Sequence, residues 1–271
     1  MSLRLSSAGE SHGPGLVAIV TGLPAGLQLD RAAIDADLAR RQAGYGRSPR
    51  QQIEQDTVEV LAGLRHGRTL GTPLALVVWN RDHKNWTWGM SPWPPEGEPA
   101  GKGTKPVTLP RPGHADLAGV QKFGHDDVRD SLERASARHT AVHVAAGAVA
   151  KALLAEIGIS IDGAAVDEDI LRARIDEARS ERDTVGGIVE VRAEGVPPGL
   201  GSYAAKEDRL DARLAAAVMG IQAVKGVEIG DGFALASLKG SEAHDEIDTS
   251  RRRTSNHAGL DAAGAIRGPA A

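Results

Sequence analysis

The sequence contains no cysteine, which excludes a disulfide framework and any thiolate metal centre. Aromatic residues are scarce at 3 %, too few for the stacking platforms on which single-stranded nucleic acids lie. An excess of one charge is lacking as well, since 32 Lys and Arg stand against 36 Asp and Glu, a formal net charge of −4. A broad positive field for nucleic acid or an anionic membrane is thereby excluded, and any anion site has to come from local clustering. No apolar run approaches the length needed to cross a bilayer, and the opening MSLRLSSAGESHG has no apolar leader core. A cytoplasmic location is the expectation.

What is present suits a folded chain. Hydrophobic residues make up 41 % of 271, enough to bury a sizeable core in one large domain or two small ones. Thirty-three glycines and fourteen prolines predict short elements and many turns. A first strand is expected over 16–20, followed by the turn 22–26. Asp30 then reads as the N-cap of a helix to about Arg41 with Ile34 and Leu38 on one face. The run 188–191 reads as a strand and 195–200 as a turn. Asp208 is expected to open a helix carrying Leu210, Leu214, Val218 and Ile221 at helical spacing. Both stretches follow one plan, strand, G-x-P-x-G-L, then amphipathic helix, which predicts an internal repeat with a ligand cleft between related halves. Residues 74–79 are a strongly apolar strand candidate. The Pro- and Gly-rich stretch 86–110 holds three of the four tryptophans and is expected to be a functional loop. The Ala- and Val-rich stretch from about Ala135 to Ile157 is expected to be the longest helix.

Five clusters carry candidate chemistry. Gly9-Glu10-Ser11-His12-Gly13 places an imidazole between small residues, and Arg111-Pro112-Gly113-His114-Ala115-Asp116 sets a second beside a cation and an acid. Together they supply two groups able to move protons near neutral pH. Arg40, Arg41, Arg47 and Arg50 surround Gly44-Tyr45-Gly46, a pattern that fits either helix C-terminal charge compensation or a phosphate grip. In Glu133–Thr140, Arg134 and Arg138 are four apart and are expected to share one face at a helix start, where backbone N–H groups and Ser136 favour an anion. His139 and His143 have the spacing of metal ligands, but no third ligand is evident and no metal site is expected. Four glycines within 220–232 would let a flat ligand approach the backbone closely.

Taken together, GESHG (9–13), RRQAGYGR (40–47), RPGHAD (111–116), ERASARHT (133–140), GVPPGLG (195–201), MGIQAVKGVEIGDGF (219–233) and SNHAG (255–259) resemble the chorismate synthase family, in the family's order. The resemblance implies an α+β fold, a β-α-β sandwich with an internal pseudo-two-fold repeat, assembled as a homotetramer. It implies conversion of 5-enolpyruvylshikimate 3-phosphate to chorismate and phosphate by anti-1,4-elimination with reduced FMN, and NADPH as a flavin reductant. Carried over by motif, His12 and His114 are the acid/base histidines. Arg134, Ala135, Ser136, Gln222 and Ala223 match flavin-contacting positions, and Arg41 and Arg47 match positions linked to NADP or a substrate phosphate. The stretch after Ile161 is short for the family. Residues 1–259 are expected to form the family domain and 260–271 a tail matching none of its later motifs, which implies a truncated or frame-shifted product with feeble activity. A non-catalytic anion- or flavin-binding remnant is the alternative, and titration with reduced FMN separates the two.

Overall fold

The computed structural model describes residues 2–46, 53–250 and 255–259. Arg47, Arg50 and the stretch 260–271, all named above, lie outside the described residues. The chain divides into two compact units, 1–153 and 154–271. In chain order the first holds strands β1 (Arg4–Ala8), β2 (Gly15–Thr21), β3 (Ala25–Gln28), β4 (Glu59–Ala62), β5 (Leu64–Arg65), β6 (Arg68–Leu70) and β7 (Leu74–Trp79). Its helices are α1 (Arg31–Gln42), α2 (Asp116–Phe123), α3 (Arg129–Ala135) and α4 (Thr140–Ala155).

Alternation decides which face of the sheet is covered. Leu16, Ala18 and Val20 of β2 and Leu74, Leu76 and Val78 of β7 are buried, the alternate positions of one covered face, and Val77 of β7 is buried on the opposite face as well. The sheet runs β1-β2-β7-β4, antiparallel throughout, with Leu16 opposite Val78 and Val20 opposite Leu74. Ile34 and Leu38 of α1 and Ala141, Val142, Ala145 and Val149 of α4 join the same core. Burying each large aliphatic side chain contributes about 1.5–3 kcal/mol. Asp30 caps α1 by accepting from Ala32 N at 2.9 Å. A smaller sheet, β3-β6-β5, lies beside it in the chain path.

The second unit contains β8 (Ser160–Ala165), α5 (Glu168–Ser180), β9 (Val189–Glu194) and α6 (Leu210–Met219), with β8 and β9 paired antiparallel. The expected repeat is visible in the turns. Gly22 and Gly26 have φ of 88° and 86°, and Gly195 and Gly199 have 73° and 91°. The first glycine of each turn also meets the chain entering the neighbouring strand. A Cβ on Gly22 would stand 2.4 Å from Ser2 O, and one on Gly195 would stand 2.1 Å from Gly158 O. Both positions therefore exclude any other residue, by backbone angle and by space.

Three expectations need correction. The helix expected over 135–157 is interrupted, because Ser136 is extended (φ −62°, ψ 141°) and caps a short 3-10 turn at Ala137–His139 by accepting from Arg138 N at 3.3 Å. The serine hydroxyl offers the backbone a cap, and the cap wins over the helical run of alanines around it. Asp208 ends a 3-10 turn rather than opening a helix, and Ile221 falls beyond α6. No residue of α5 or α6 is buried, and Val189 and Val191 of β9 are 67 % and 64 % exposed.

Candidate active site

The loop between β1 and β2 carries His12, and its path is set by backbone constraints. Gly9 has φ of 118°, and a Cβ there would lie 2.6 Å from Gly15 O. Asn80, just after β7, holds the loop by donating from Nδ2 to Glu10 O at 3.1 Å and to Gly13 O at 2.8 Å. Ser11 is buried, its N–H donating to Glu133 O at 3.0 Å and its hydroxyl accepting from Ser136 at 3.1 Å. Two motifs separated by more than a hundred residues are thus one structure.

His12 sits where they meet. Its backbone N–H donates to Glu133 Oε2 at 2.8 Å, and its Nδ1 lies 2.8 Å from Glu133 Oε1. The Glu133 side chain is 1 % exposed and that of His12 19 %. The imidazole stacks on Trp86, ring centroids 4.0 Å apart. Trp86 is itself fixed, its indole N–H donating to Asp82 Oδ2 at 2.9 Å, and the Arg129 guanidinium lies 5.3 Å from its ring centroid. His83 Nδ1 donates to the His12 carbonyl at 2.9 Å. Burial pushes the Asp82 carboxyl up, but hydrogen bonds from Asn85 and Trp86 and the Lys102 charge outweigh it and hold the group below its usual value. Trp86, Asp82 and Glu133 were not singled out as site residues. Glu133 does stand inside one of the quoted motifs, but a partner 121 positions away in the chain leaves no local trace.

His114 occupies a second cluster in the same unit. Its Nδ1 is hydrogen-bonded to Asp116 Oδ1, and Arg111 approaches its Nε2 at 3.1 Å while donating from its own backbone N–H and Nε to Asp116 Oδ2 at 3.1 and 3.2 Å. Asp116 opens α2, which packs on α3 so closely that a Cβ on Gly119 would lie 2.4 Å from Ser131 Oγ. The helix bearing Asp116 is thereby braced against the helix bearing Glu133. Burial raises the Asp116 carboxyl, and the Arg111 backbone N–H, His114 and the Arg111 side chain together bring it below 3.8. A carboxyl depressed in the folded state stabilises the protein above its unfolded value and loses that contribution as pH falls through the folded one. The urea midpoint is therefore expected to drop as pH goes below 3.8, and Asp116→Asn to flatten that drop. Parallel pH profiles for the two proteins would separate Asp116 from acid sensitivity.

The arginines behave differently from the sequence expectation. Arg134 spends its guanidinium on β1, donating to Ser7 O and Ser7 Oγ at 3.1 Å each and to Gly9 O at 3.4 Å. Arg138 is buried and faces the other way, with Nη1 2.7 and 2.8 Å from the two oxygens of Asp56. The break at Ser136 removes the shared helical face, so the two do not form one anion clamp. Arg41, at the end of α1, donates to Thr140 Oγ1 and Ala137 O and pairs with Asp56 at 3.4 Å. It ties its motif to the segment holding Ala135 and Ser136. His139 and His143 meet edge to face at 5.0 Å, and no group of three metal-ligating side chains occurs among the described residues.

In the second unit Gln222 and Ala223 follow α6, and Ala223 adopts a φ of 66°, a conformation that costs a residue bearing a Cβ. The glycine motif and SNHAG come together there. Asp231 N donates to His257 O at 2.8 Å, His257 Nδ1 lies 2.6 Å from Asp231 Oδ2, and a Cβ on Gly230 would stand 2.1 Å from His257 O. A cavity of about 380 Å³ in this unit is lined by Val166, Ile170, Leu171, Arg174 and Ile188 among others, none of them from the seven motifs.

A family model described as chorismate synthase matches residues 3–169 and 164–268. The chorismate synthase of Rubrobacter xylanophilus is 52 % identical over 277 aligned positions, covering 91 % of this chain and 70 % of that protein. That of Desulforudis audaxviator is 51 % identical and covers 95 % and 74 %. A solved structure titled "Crystal Structure of Chorismate Synthase" superposes with a TM-score of 0.79 at 36 % identity, covering 99 % of this chain and 81 % of the other. The family match falls in two segments that overlap at 164–169, and the alignment of 277 positions is longer than this 271-residue chain. The relatives therefore carry internal residues that this chain lacks, in agreement with the short stretch after Ile161.

Proposed function

The chain belongs to the chorismate synthase family of shikimate-pathway lyases, and on that premise we propose that it eliminates phosphate from 5-enolpyruvylshikimate 3-phosphate to give chorismate, with reduced FMN as cofactor. The observation that carries this is the convergence of the GESHG loop and the ERASARHT segment on His12, a partly exposed imidazole held between a buried carboxylate and an indole face. A group so placed exchanges a proton with a bound anion without itself being free to rotate. His114, backed by Asp116 and flanked by Arg111, is the second proton-moving group, and Arg111 adds positive charge where phosphate departs.

The donor set on the flavin-matching positions suits a flavin. Ser136 in the first unit and Gln222 in the second each carry a neutral hydrogen-bonding group of the kind the ring edge and ribityl chain use. Reduced flavin, when bound, supplies electron density toward the breaking C–O bond. Because Arg134 and Arg41 are committed to protein oxygens, their part is to hold Ser7, Gly9, Ala137 and Thr140 in place around these groups. Arg47, matched to an NADP or substrate phosphate, completes the assignment, with NADPH as a flavin reductant. A cytoplasmic homotetramer is the assembly we assign. The exposed Val189 and Val191 support a covering partner surface, and light scattering tests it.

Anaerobic mixing with reduced FMN and 5-enolpyruvylshikimate 3-phosphate is expected to change the flavin absorbance and release phosphate. Flavin binding without phosphate release would overturn the lyase assignment in favour of a remnant that only binds, and no binding at all would overturn both.

A further inference from the structure

We propose that Glu133 is a positioning residue that holds the proton of the neutral His12 ring on Nδ1 and so leaves Nε2 as the atom that exchanges protons with a bound molecule. This rests on the assignment of His12 to the reaction, but the geometry is independent of it. Glu133 touches His12 through both carboxylate oxygens, Oε2 accepting from the backbone N–H at 2.8 Å and Nδ1 lying 2.8 Å from Oε1 and 2.9 Å from Oε2. An ionised carboxylate accepts only, so a neutral imidazole facing it has its proton on that nitrogen. Among the described residues no hydrogen bond reaches His12 Nε2. The ring is fixed on its face as well, by Trp86 at 4.0 Å, and Trp86 is anchored by Asp82. Rotation of the imidazole to present Nδ1 instead would break the Glu133 contact, leaving a carboxylate that is 1 % exposed with one fewer partner, which burial makes costly.

The sequence supplies Glu133 with a rigid seat. It lies on α3, whose close packing against α2 depends on Gly119, and its backbone carbonyl accepts from Ser11 N at 3.0 Å. The residue therefore orients both the loop and the ring of the same histidine.

Glu133→Gln is the discriminating variant because it is isosteric. Its amide oxygen still accepts the His12 backbone N–H, while its amide nitrogen, in the place of Oε1 2.8 Å from Nδ1, can only donate there, which favours the ring proton on Nε2 over a single remaining Nδ1–H contact to the amide oxygen at 2.9 Å. In ¹⁵N-labelled protein, with the His12 signals assigned by their loss in His12→Gln, the parent is expected to show the Nδ1–H tautomer and Glu133→Gln the Nε2–H tautomer. In parallel kcat is expected to fall about 10²–10⁴-fold, the upper end being the scale of a wrong-tautomer defect, with KM for substrate near the parent value, and Glu133→Asp is expected to restore part of kcat. An Nε2–H tautomer in the parent overturns the inference, even if Glu133→Gln fails to fold, and so does a folded Glu133→Gln whose tautomer moves to Nε2–H while kcat stays at the parent value. Failure of the functional assignment is read separately, as absence of phosphate release from a parent whose ring signals are those expected.

Discussion

His12→Ala and His114→Ala are each expected to slow phosphate release by about 10²–10⁴-fold, the range lost when a positioned proton donor or acceptor is removed. For His12 the loss should fall almost wholly on the chemical step. The ring stacks on Trp86 and leans on Glu133 and is no member of the hydrophobic core cluster, so its removal takes no side chain from that core. Glu133 remains hydrogen-bonded to the backbone N–H of residue 12, which keeps the loop in register. His114 differs, since Arg111 lies against its Nε2. That arginine side chain is 51 % exposed, and while its Nε holds Asp116 Oδ2 its Nη2 can leave His114 for an arriving anion, which uncovers the imidazole as substrate binds. His114→Ala should therefore raise KM as well as lower kcat, whereas His12→Ala should lower kcat alone. Single-turnover phosphate release checks both. Near-normal rates in the two variants would remove the histidines from the mechanism.

The sheet and first helix were legible because their signals are local. Leu74–Trp79 is a strand in sequence and in structure, and Asp30, Ile34 and Leu38 declare a capped, one-faced helix within a dozen residues. The glycine turns were legible for the same reason, since Gly22 and Gly195 sit where only glycine fits. The site was legible in part. His12 and His114 announce themselves by their glycine and charge neighbours, yet their carboxylate partners behave differently. Asp116 is two residues from His114, while Glu133 lies on another element, reached only once β1, β2 and α3 have assembled. The arginines misled for a related reason. Their spacing is that of a continuous helix, and the break that separates Arg134 from Arg138 is made by a single serine hydroxyl bonding two residues ahead. Nothing in periodicity tells whether a guanidinium will find an anion or a carbonyl. In the second unit the helical spacing of Leu210, Leu214 and Val218 is real, but no face of α6 is buried. Pattern predicts amphipathicity, not the surface that will cover it.

Replacing Arg138 by methionine is expected to cost about 3–5 kcal/mol of folding stability, the usual loss when one partner of a buried ion pair is deleted. Arg138 is 7 % exposed and holds Asp56 through two short contacts, at 2.7 and 2.8 Å, with Glu54 3.6 Å away. The Asp56 side chain is fully enclosed and Glu54 is 3 % exposed, so neither carboxylate gains water when the guanidinium goes. Arg41 still pairs with Asp56, but at 3.4 Å and with its donors shared with Thr140 and Ala137. Against a typical total of about 5–15 kcal/mol the loss is large enough to read from a urea midpoint. Lysine should fall between, because one ammonium cannot reproduce the planar fork that engages both Asp56 oxygens and Asn80. A second effect is expected on turnover, since Arg138 Nε donates to Asn80 Oδ1 at 2.8 Å and Asn80 in turn clasps the loop of His12. Adding Asp56→Asn to Arg138→Met should recover part of the stability, as an amide is cheaper to bury than an unpaired charge. It should recover none of the turnover, since Asn80 would still lack its anchor. A single Arg138→Met protein within about 1 kcal/mol of the parent would mean that the carboxylates find other partners, and the link from this buried network to the histidine loop would fail with it.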